Sequence, residues 1–340
     1  MNLSNIVNEL TTGVHLESED MQTAVTAMME GHVTEEQMAD FLLALKKKGE
    51  TVPELVGAAR AMRGKMSRIR SEREFLVDTC GTGGDGSGTF NISTAAAIVA
   101  AACDVPIAKH GNRAVSSKSG SADALNTLGV NVAAPSETVE RCLEQVGLCF
   151  CFAPLFHQSV KNVAAARKKL GVPTIFNMLG PLCNPAAADY QIIGVGQPWQ
   201  RPLIAEALRQ LGTRKSVVVH GTDGLCEISN SAETDVSIVS PDGIEETRWS
   251  PELFGCQRSS REEILAENPE KSVARIREAL DGTPGGALDI VVLNAAAALW
   301  LTGKSQSLEA CAEECLAQIQ NGRAREKLQS LVECSVEPGA

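Results

Sequence analysis

Residues 75–102 read FLVDTCGTGGDGSGTFNISTAAAIVAAA, and this stretch decides the fold class. The apolar run at 75–78 ends on Asp78 and has the length of a short buried strand. Five glycines follow within eight residues: Gly81, Gly83, Gly84, Gly86 and Gly88. They let the backbone take positive φ angles and approach a ligand closely. An alanine-rich helix over 91–102 then offers unpaired N–H groups at its start, which suit phosphate oxygens. A structural turn, with Asn91 or Ser93 as N-cap, is the plain alternative. The loop does not fit GxxxxGK[ST], so the usual mononucleotide fingerprint is absent.

Downstream, the same alternation repeats. Strand candidates lie at 105–108, 148–152, 191–195 and 216–219, with helical stretches at 136–146, 157–170 and 199–211. Strands alternating with helices predict an α/β layer around a central, mostly parallel sheet flanked by helices. The less regular segment 235–249 reads as a short antiparallel excursion. The C-terminal part is helical: NPEKSVARIREAL, DIVVLNAAAALWL, then one long helix after Ser307. Upstream, the first seventy residues show only helical spacing. Ser18 and Thr34 are N-cap candidates, Thr34 with Gln37 and Thr51 with Glu54 have capping-box form, and Met38, Phe41, Leu42 and Leu45 recur on one face. The expected organisation is a small all-helical unit over 1–72, joined by helices from about 168–190, and a larger α/β unit over 73–340. Arg60, Arg63, Lys65, Arg68 and Arg70 read as a solvated face or linker.

Composition narrows the function classes. The 340 residues carry 31 Lys and Arg against 42 Asp and Glu, a net charge of −11, which argues against a phosphate-tracking nucleic-acid protein. No apolar run reaches the roughly 18 residues that span a bilayer, and MNLSNIVNEL lacks the features of a secretory signal. Eleven scattered cysteines lack a CxxC pair, and nearly all of them read as reduced core residues of a cytoplasmic protein.

A second chemical stretch, KHGNRAVSSKSGSAD, occupies 109–123 between a strand and a helix. Three cations and four serines among glycines form a local anion site at the carboxyl edge of the sheet, where open α/β folds bind ligands.

GTGGDGSGTFNIST together with KHGNRAVSSKSGSADALNTLG resembles the anthranilate phosphoribosyltransferase family. The likeness continues through RKKLGVPTIFNMLGPLCNP, VVHGTDGL and LDIVVLNAAAALWL, and so covers essentially the whole chain. It implies phosphoribosyl pyrophosphate (PRPP) and anthranilate as substrates, Mg²⁺ as cofactor, and a homodimer paired through the helical unit. Gly81, Gly84, Asp85, Thr89, Asn91, Ile92, Ser93 and Thr94 would hold PRPP from the first motif. Lys109, His110, Gly111, Asn112, Arg113, Ala114, Val115, Ser116, Ser117 and Ser121 would hold it from the second. Asn112 and Arg167 would face anthranilate, with Gly81 bordering both ligands. Read alone, Arg167 in AAARKKLG is an ordinary surface helix residue; a guanidinium nonetheless suits a carboxylate. His110 is either a neutral group in the anthranilate pocket or a packed structural histidine. Ser93 and Glu227 would reach the metal.

Two positions depart from the family pattern. The stretch Asp223-Gly-Leu-Cys226-Glu227 has a thiol where the family has the first of two adjacent acids. Thiols are poor ligands for a hard cation, so one metal position is expected to be weakened, with Asp223 close enough in sequence to help. Leu288 stands where an arginine is expected before Asp289. The rival readings are a pyrimidine nucleoside phosphorylase, whose substrate has no 5-phosphate, and a catalytically silent relative that binds nucleic acid.

Overall fold

The computed structural model describes residues 3–113, 119–305 and 307–336. Four helices come first: α1 (Leu3–Thr11), α2 (Ser18–Met29), α3 (Glu35–Lys48) and α4 (Val52–Lys65). The Thr34–Gln37 box closes in both directions, with Thr34 N–H donating to Gln37 Oε1 at 3.0 Å and Gln37 N–H to Thr34 Oγ1 at 3.3 Å. Ser18 is the first helical residue rather than the cap, because Glu17 occupies that position without a side-chain bond. At Thr51 the hydroxyl is unpartnered and only the reciprocal bond forms, Thr51 N–H to Glu54 Oε2 at 2.8 Å. Glu54 is drawn inward instead, where it pairs with buried Lys48 at 3.0 Å and accepts from Leu16 N–H. Arg63 likewise departs from the solvated reading: its guanidinium donates to the Leu182 and Leu211 carbonyls.

The α/β part follows as β1 (Val77–Asp78), α5 (Ile92–Ala102), β2 (Ile107–Gly111), α6 (Ser121–Thr127), α7 (Ser136–Val146), β3 (Leu148–Phe152), α8 (Ala153–Phe156), α9 (Lys161–Leu170), α10 (Phe176–Leu179), β4 (Tyr190–Gly194), α11 (Gln200–Leu211), β5 (Lys215–Gly221), β6 (Thr234–Ser240) and β7 (Gly243–Trp249). The strands form one sheet in the order β3-β2-β1-β4-β5-β6-β7. The first five are parallel, and β6 and β7 extend the edge as an antiparallel hairpin. The chain closes with α12 (Pro269–Leu280), α13 (Gly286–Leu301), α14 (Leu308–Gln320) and α15 (Arg323–Val336). The single long helix expected after Ser307 is thus two, broken where Gly322 takes a φ of +89°.

Period-two alternation divides the core. In β5, Val217 and Val219 face α5 and α13, whereas Val218 faces the opposite layer with α11. That second layer is continuous with the helical unit: Val163, Ala166 and the buried residues of 175–183 pack among Phe41, Leu55 and Met62. The turn through 171–183 therefore hangs against the helical unit while its polar residues face the sheet edge. None of the described helices is long and apolar enough to cross a membrane, and all eleven cysteines are free thiols.

Candidate active site

Both motifs converge at the carboxyl edge of the parallel strands, around a cavity of about 340 Å³. Gly81, Gly84, Asn91, Ser93, Lys109, His110, Gly111, Asn112, Arg113, Ser121, Arg167 and Glu227 all line it. Asn91 ties the motifs together: its Nδ2 donates to Ser119 O at 3.2 Å, and its Oδ1 accepts from Ser119 Oγ at 2.9 Å and Ser272 Oγ at 2.7 Å. Asn91 stands at the N-cap of α5 without a capping side-chain bond, so its amide serves this junction instead.

Ile92 and Thr94 do not line the cavity; both are about 1% exposed and packed inward. Successive helical residues point about 100° apart, so Ser93 faces the cleft while its two neighbours cannot. Thr89 is absorbed by a hydroxyl bond with Ser87 at 3.1 Å. Asp85 does not line the cavity itself but sits beside its acidic end, where Ser87 N–H and Cys226 N–H donate to its two oxygens, each at 3.1 Å. Ala114, Val115, Ser116 and Ser117 lie outside the described residues.

Lys109 reaches the cleft floor from β2, only 3% exposed. Its Nζ donates to Thr79 O at 3.1 Å, Thr79 Oγ1 at 3.2 Å and Ser93 Oγ at 3.1 Å. Asp78 is fully buried and accepts from His110 N–H at 3.0 Å; burial pushes its carboxyl up to about 6, against the pull of Lys109. Arg113 pairs with Asp123 at 3.0 Å and lies 5.7 Å over the Phe152 ring. His110 is buried and also lines the cavity. Its Nδ1 bonds the Gly180 carbonyl at 3.0 Å, burial and His157 pull its pKa down to about 3, and Nε2 has no partner beside the cavity.

A second chamber of about 550 Å³ opens beside the first, sharing His110, Asn112, Ala153, Arg167, Phe176 and Gly180 with it. Arg167 in α9 is therefore a wall residue rather than a surface one. Its guanidinium lies 5.5 Å over the Phe176 ring and donates to Asn177 Oδ1 at 3.4 Å, and Thr174 N–H donates to the same oxygen at 3.0 Å. A larger cavity of about 760 Å³ among Glu19, Thr26, Glu30 and His32 on the helical unit holds none of these groups.

Residues 4–66 match the helical bundle domain of the glycosyl transferase family and residues 73–325 match its α/β domain. Anthranilate phosphoribosyltransferase of Rhodopirellula baltica is 44% identical over 333 residues, covering 98% of this chain and 97% of that protein. The chain belongs to the anthranilate phosphoribosyltransferase family. The crystal structure of the Thermus thermophilus family member superposes with a TM-score of 0.91 at 40% identity, over 97% of this chain and 99% of that one. The Saccharomyces cerevisiae enzyme, solved in complex with PRPP and Mg, superposes at 0.89 with 26% identity, over 98% and 97% of the two chains.

The acidic loop after β5 carries Asp223, Cys226 and Glu227. Asp223 is tied into its own loop: its Oδ2 accepts from Ser229 Oγ and Ser231 Oγ, both at 2.7 Å. Cys226 sits on the cavity wall, its thiol pushed well above its ordinary value by burial, then by Glu227 and Asp85. Leu288 is a buried core residue of α13. Among the described residues no three His, Cys, Asp or Glu side chains gather as metal ligands. Glu227 and Ser93 still fit Mg²⁺, which commonly takes one or two carboxylates and completes its shell with water and substrate phosphates.

Three backbone segments stack without side chains between them at this point. A Cβ on Gly81 would lie 2.7 Å from Gly194 O, and one on Gly194 would lie 1.6 Å from Cys226 O. Gly194→Ala is expected to displace the acidic loop and cost about 3 kcal/mol or more, seen as a fall of several degrees in Tm. Gly64→Ala in α4, where nothing lies within 4 Å, should be neutral or slightly stabilising. Equal melting of the two variants would contradict this stacking.

Burial pushes the Glu227 carboxyl up to about 8, assisted by Asp85 and opposed by Lys109. Between its ordinary value of 4.5 and that value, the folded state holds a proton that the unfolded state has released. Stability therefore falls as pH rises through this window. His110 and His157, pulled down to about 3 and about 4, act in the opposite sense but only below 6.5. The metal-free protein should then lose about 1–2 kcal/mol between pH 6.5 and 8, read as Tm against pH. Glu227→Gln should flatten that segment; an unchanged slope in the variant would show that another group carries it.

Proposed function

We propose that this protein transfers the 5-phosphoribosyl group of PRPP to the amine of anthranilate, giving N-(5-phosphoribosyl)anthranilate and pyrophosphate in tryptophan biosynthesis. The observation that carries the reading is the meeting of Lys109, Asn91 and Ser93 with Arg167 around one cleft. One side is built for a diphosphate; the other presents a guanidinium to an aryl carboxylate. The amine nitrogen forms a bond to the anomeric carbon, the carbon–oxygen bond to pyrophosphate breaks, and the amine proton leaves to solvent. No nucleophilic side chain or strong base is required. The cleft aligns the two reactants, and Lys109 and the loop amides take up the charge that develops on the leaving group. Mg²⁺, held by Ser93 and Glu227, would supply further neutralisation of that diphosphate. His110, kept neutral by burial, offers the acceptor chamber an uncharged polar edge. We also propose the unit boundary at 72/73, with the segment from about 168–190 belonging with the helical unit, and a homodimer formed through that unit.

The departure at Cys226 makes a specific expectation. With a thiol beside Glu227, the chain should need more Mg²⁺ for half-maximal rate than its Cys226→Asp variant, by about tenfold for one added hard ligand. Identical Mg²⁺ titrations would show that this position does not touch the metal. Offering a pyrimidine nucleoside with free phosphate tests the proposed reaction against its nearest rival; turnover there, and none with PRPP and anthranilate, would overturn the assignment.

A further inference from the structure

Beside the substrate cleft, and sharing Thr82, Gly83, Gly84 and Asn177 with it, lies a further cavity of about 590 Å³, within the size range of small-molecule sites. It sits between the end of α3 and the start of α11. Lys46, Glu50, Thr174, Met178 and Trp199 supply its chemistry, and Thr82 to Gly84 form its floor. Trp199 is 52% exposed, the most exposed aromatic side chain among the described residues. Met178, 2% exposed, lies in the wall of the same cavity, and a thioether is a favourable neighbour for an aryl ring. Lys46 and Glu50 carry opposite charges, yet among the described residues neither enters an ion pair. Burial already penalises the ionised Glu50 carboxyl, so an incoming cation would relieve it. Thr174 is 4% exposed, and its hydroxyl has no partner.

We propose that this cavity binds a small aromatic zwitterion, the class of α-amino acids with an aryl side chain, with its ring on Trp199, its ammonium at Glu50 and its carboxylate at Lys46. Two connections join the site to the cleft. A Cβ on Gly196 would lie 2.6 Å from Gly83 O, and Gly196 N–H donates to Thr82 Oγ1 at 3.1 Å, so the turn that carries Trp199 is the seat of the glycine loop. On the other wall, Thr174 N–H and Arg167 share Asn177 Oδ1. An occupant that orders these walls changes the affinity of the cleft for PRPP, and PRPP must change the occupant's affinity by the same factor. This coupling rests on the phosphoribosyl reading above; the binding itself does not.

Calorimetric titration of the full chain with L-phenylalanine at about 1 mM tests the site. Saturable one-to-one binding is expected, weakened about tenfold or more by Trp199→Ala and by Glu50→Gln. Both variants should keep the parental anthranilate turnover. With 3-phenylpropionate, which lacks the amine, Glu50→Gln should make no difference. Absence of saturable binding, or binding that survives Trp199→Ala, overturns the proposal. So does Trp199-dependent binding of anthranilate with equal affinity, because its aniline nitrogen is uncharged at neutral pH; the cavity would then be a second acceptor site. If L-phenylalanine binds but leaves the PRPP dissociation constant unmoved, the coupling is wrong and the site stands.

Discussion

Glu227→Gln is expected to lower kcat/KM for PRPP by about a thousandfold, equivalent to about 4 kcal/mol of transition-state stabilisation. The substitution keeps size and removes only the charge. In the metal-free protein Glu227 is held mostly protonated at neutral pH, its carboxyl at about 8. Glutamine therefore mimics the resting form, and the variant should fold and melt at or above the parental temperature. The loss should appear in catalysis alone, because the reaction demands the ionised carboxylate that burial disfavours. Lys109, bonded to Ser93 at 3.1 Å, would remain as the floor's cation and preserve residual PRPP binding. Steady-state kinetics across a Mg²⁺ series separates these parts. A loss smaller than tenfold at saturating Mg²⁺ would remove Glu227 from the catalytic floor.

Arg167→Ala should cut kcat/KM for anthranilate about a hundredfold, with KM for PRPP nearly unchanged. Two charge-assisted hydrogen bonds to a carboxylate contribute about 3 kcal/mol when desolvated. The guanidinium is held in place by the Phe176 ring at 5.5 Å and by Asn177 Oδ1. Arg167→Lys keeps the charge but neither the fork nor the stacking, and should recover less than tenfold of the loss. Equal increases in the KM of both substrates would mean that Arg167 supports the cleft generally. A normal anthranilate KM would place the acceptor elsewhere.

Much of the architecture is legible in local pattern. β3 and α7 fall where apolar runs and helical spacing place them, because each is decided by neighbours in sequence. β1 pairs over only two residues, since the glycine loop departs at once toward the cleft. The two anion motifs are legible because each packs its chemistry into one strand-to-helix turn. Their neighbours are less so: helical rotation turns the side chains of Ile92 and Thr94 into the core, which a run of four consecutive residues does not show. Phe176, Asn177 and Gly180 reach the cleft from a long connection placed by packing against the helical unit. Their stretch IFNMLG shows in isolation only apolar residues and an amide; its place in the family pattern is the signal that could have found them. The fate of Asp223 depends on two serines six and eight residues further on, whose hydroxyls meet it only after the loop closes.

The most direct test of the central claim is anthranilate fluorescence followed over time with PRPP, with and without Mg²⁺, and the product identified by mass spectrometry. The account predicts consumption that requires both PRPP and Mg²⁺ and yields N-(5-phosphoribosyl)anthranilate with one equivalent of pyrophosphate. Folded protein that leaves anthranilate untouched at every Mg²⁺ concentration would contradict it.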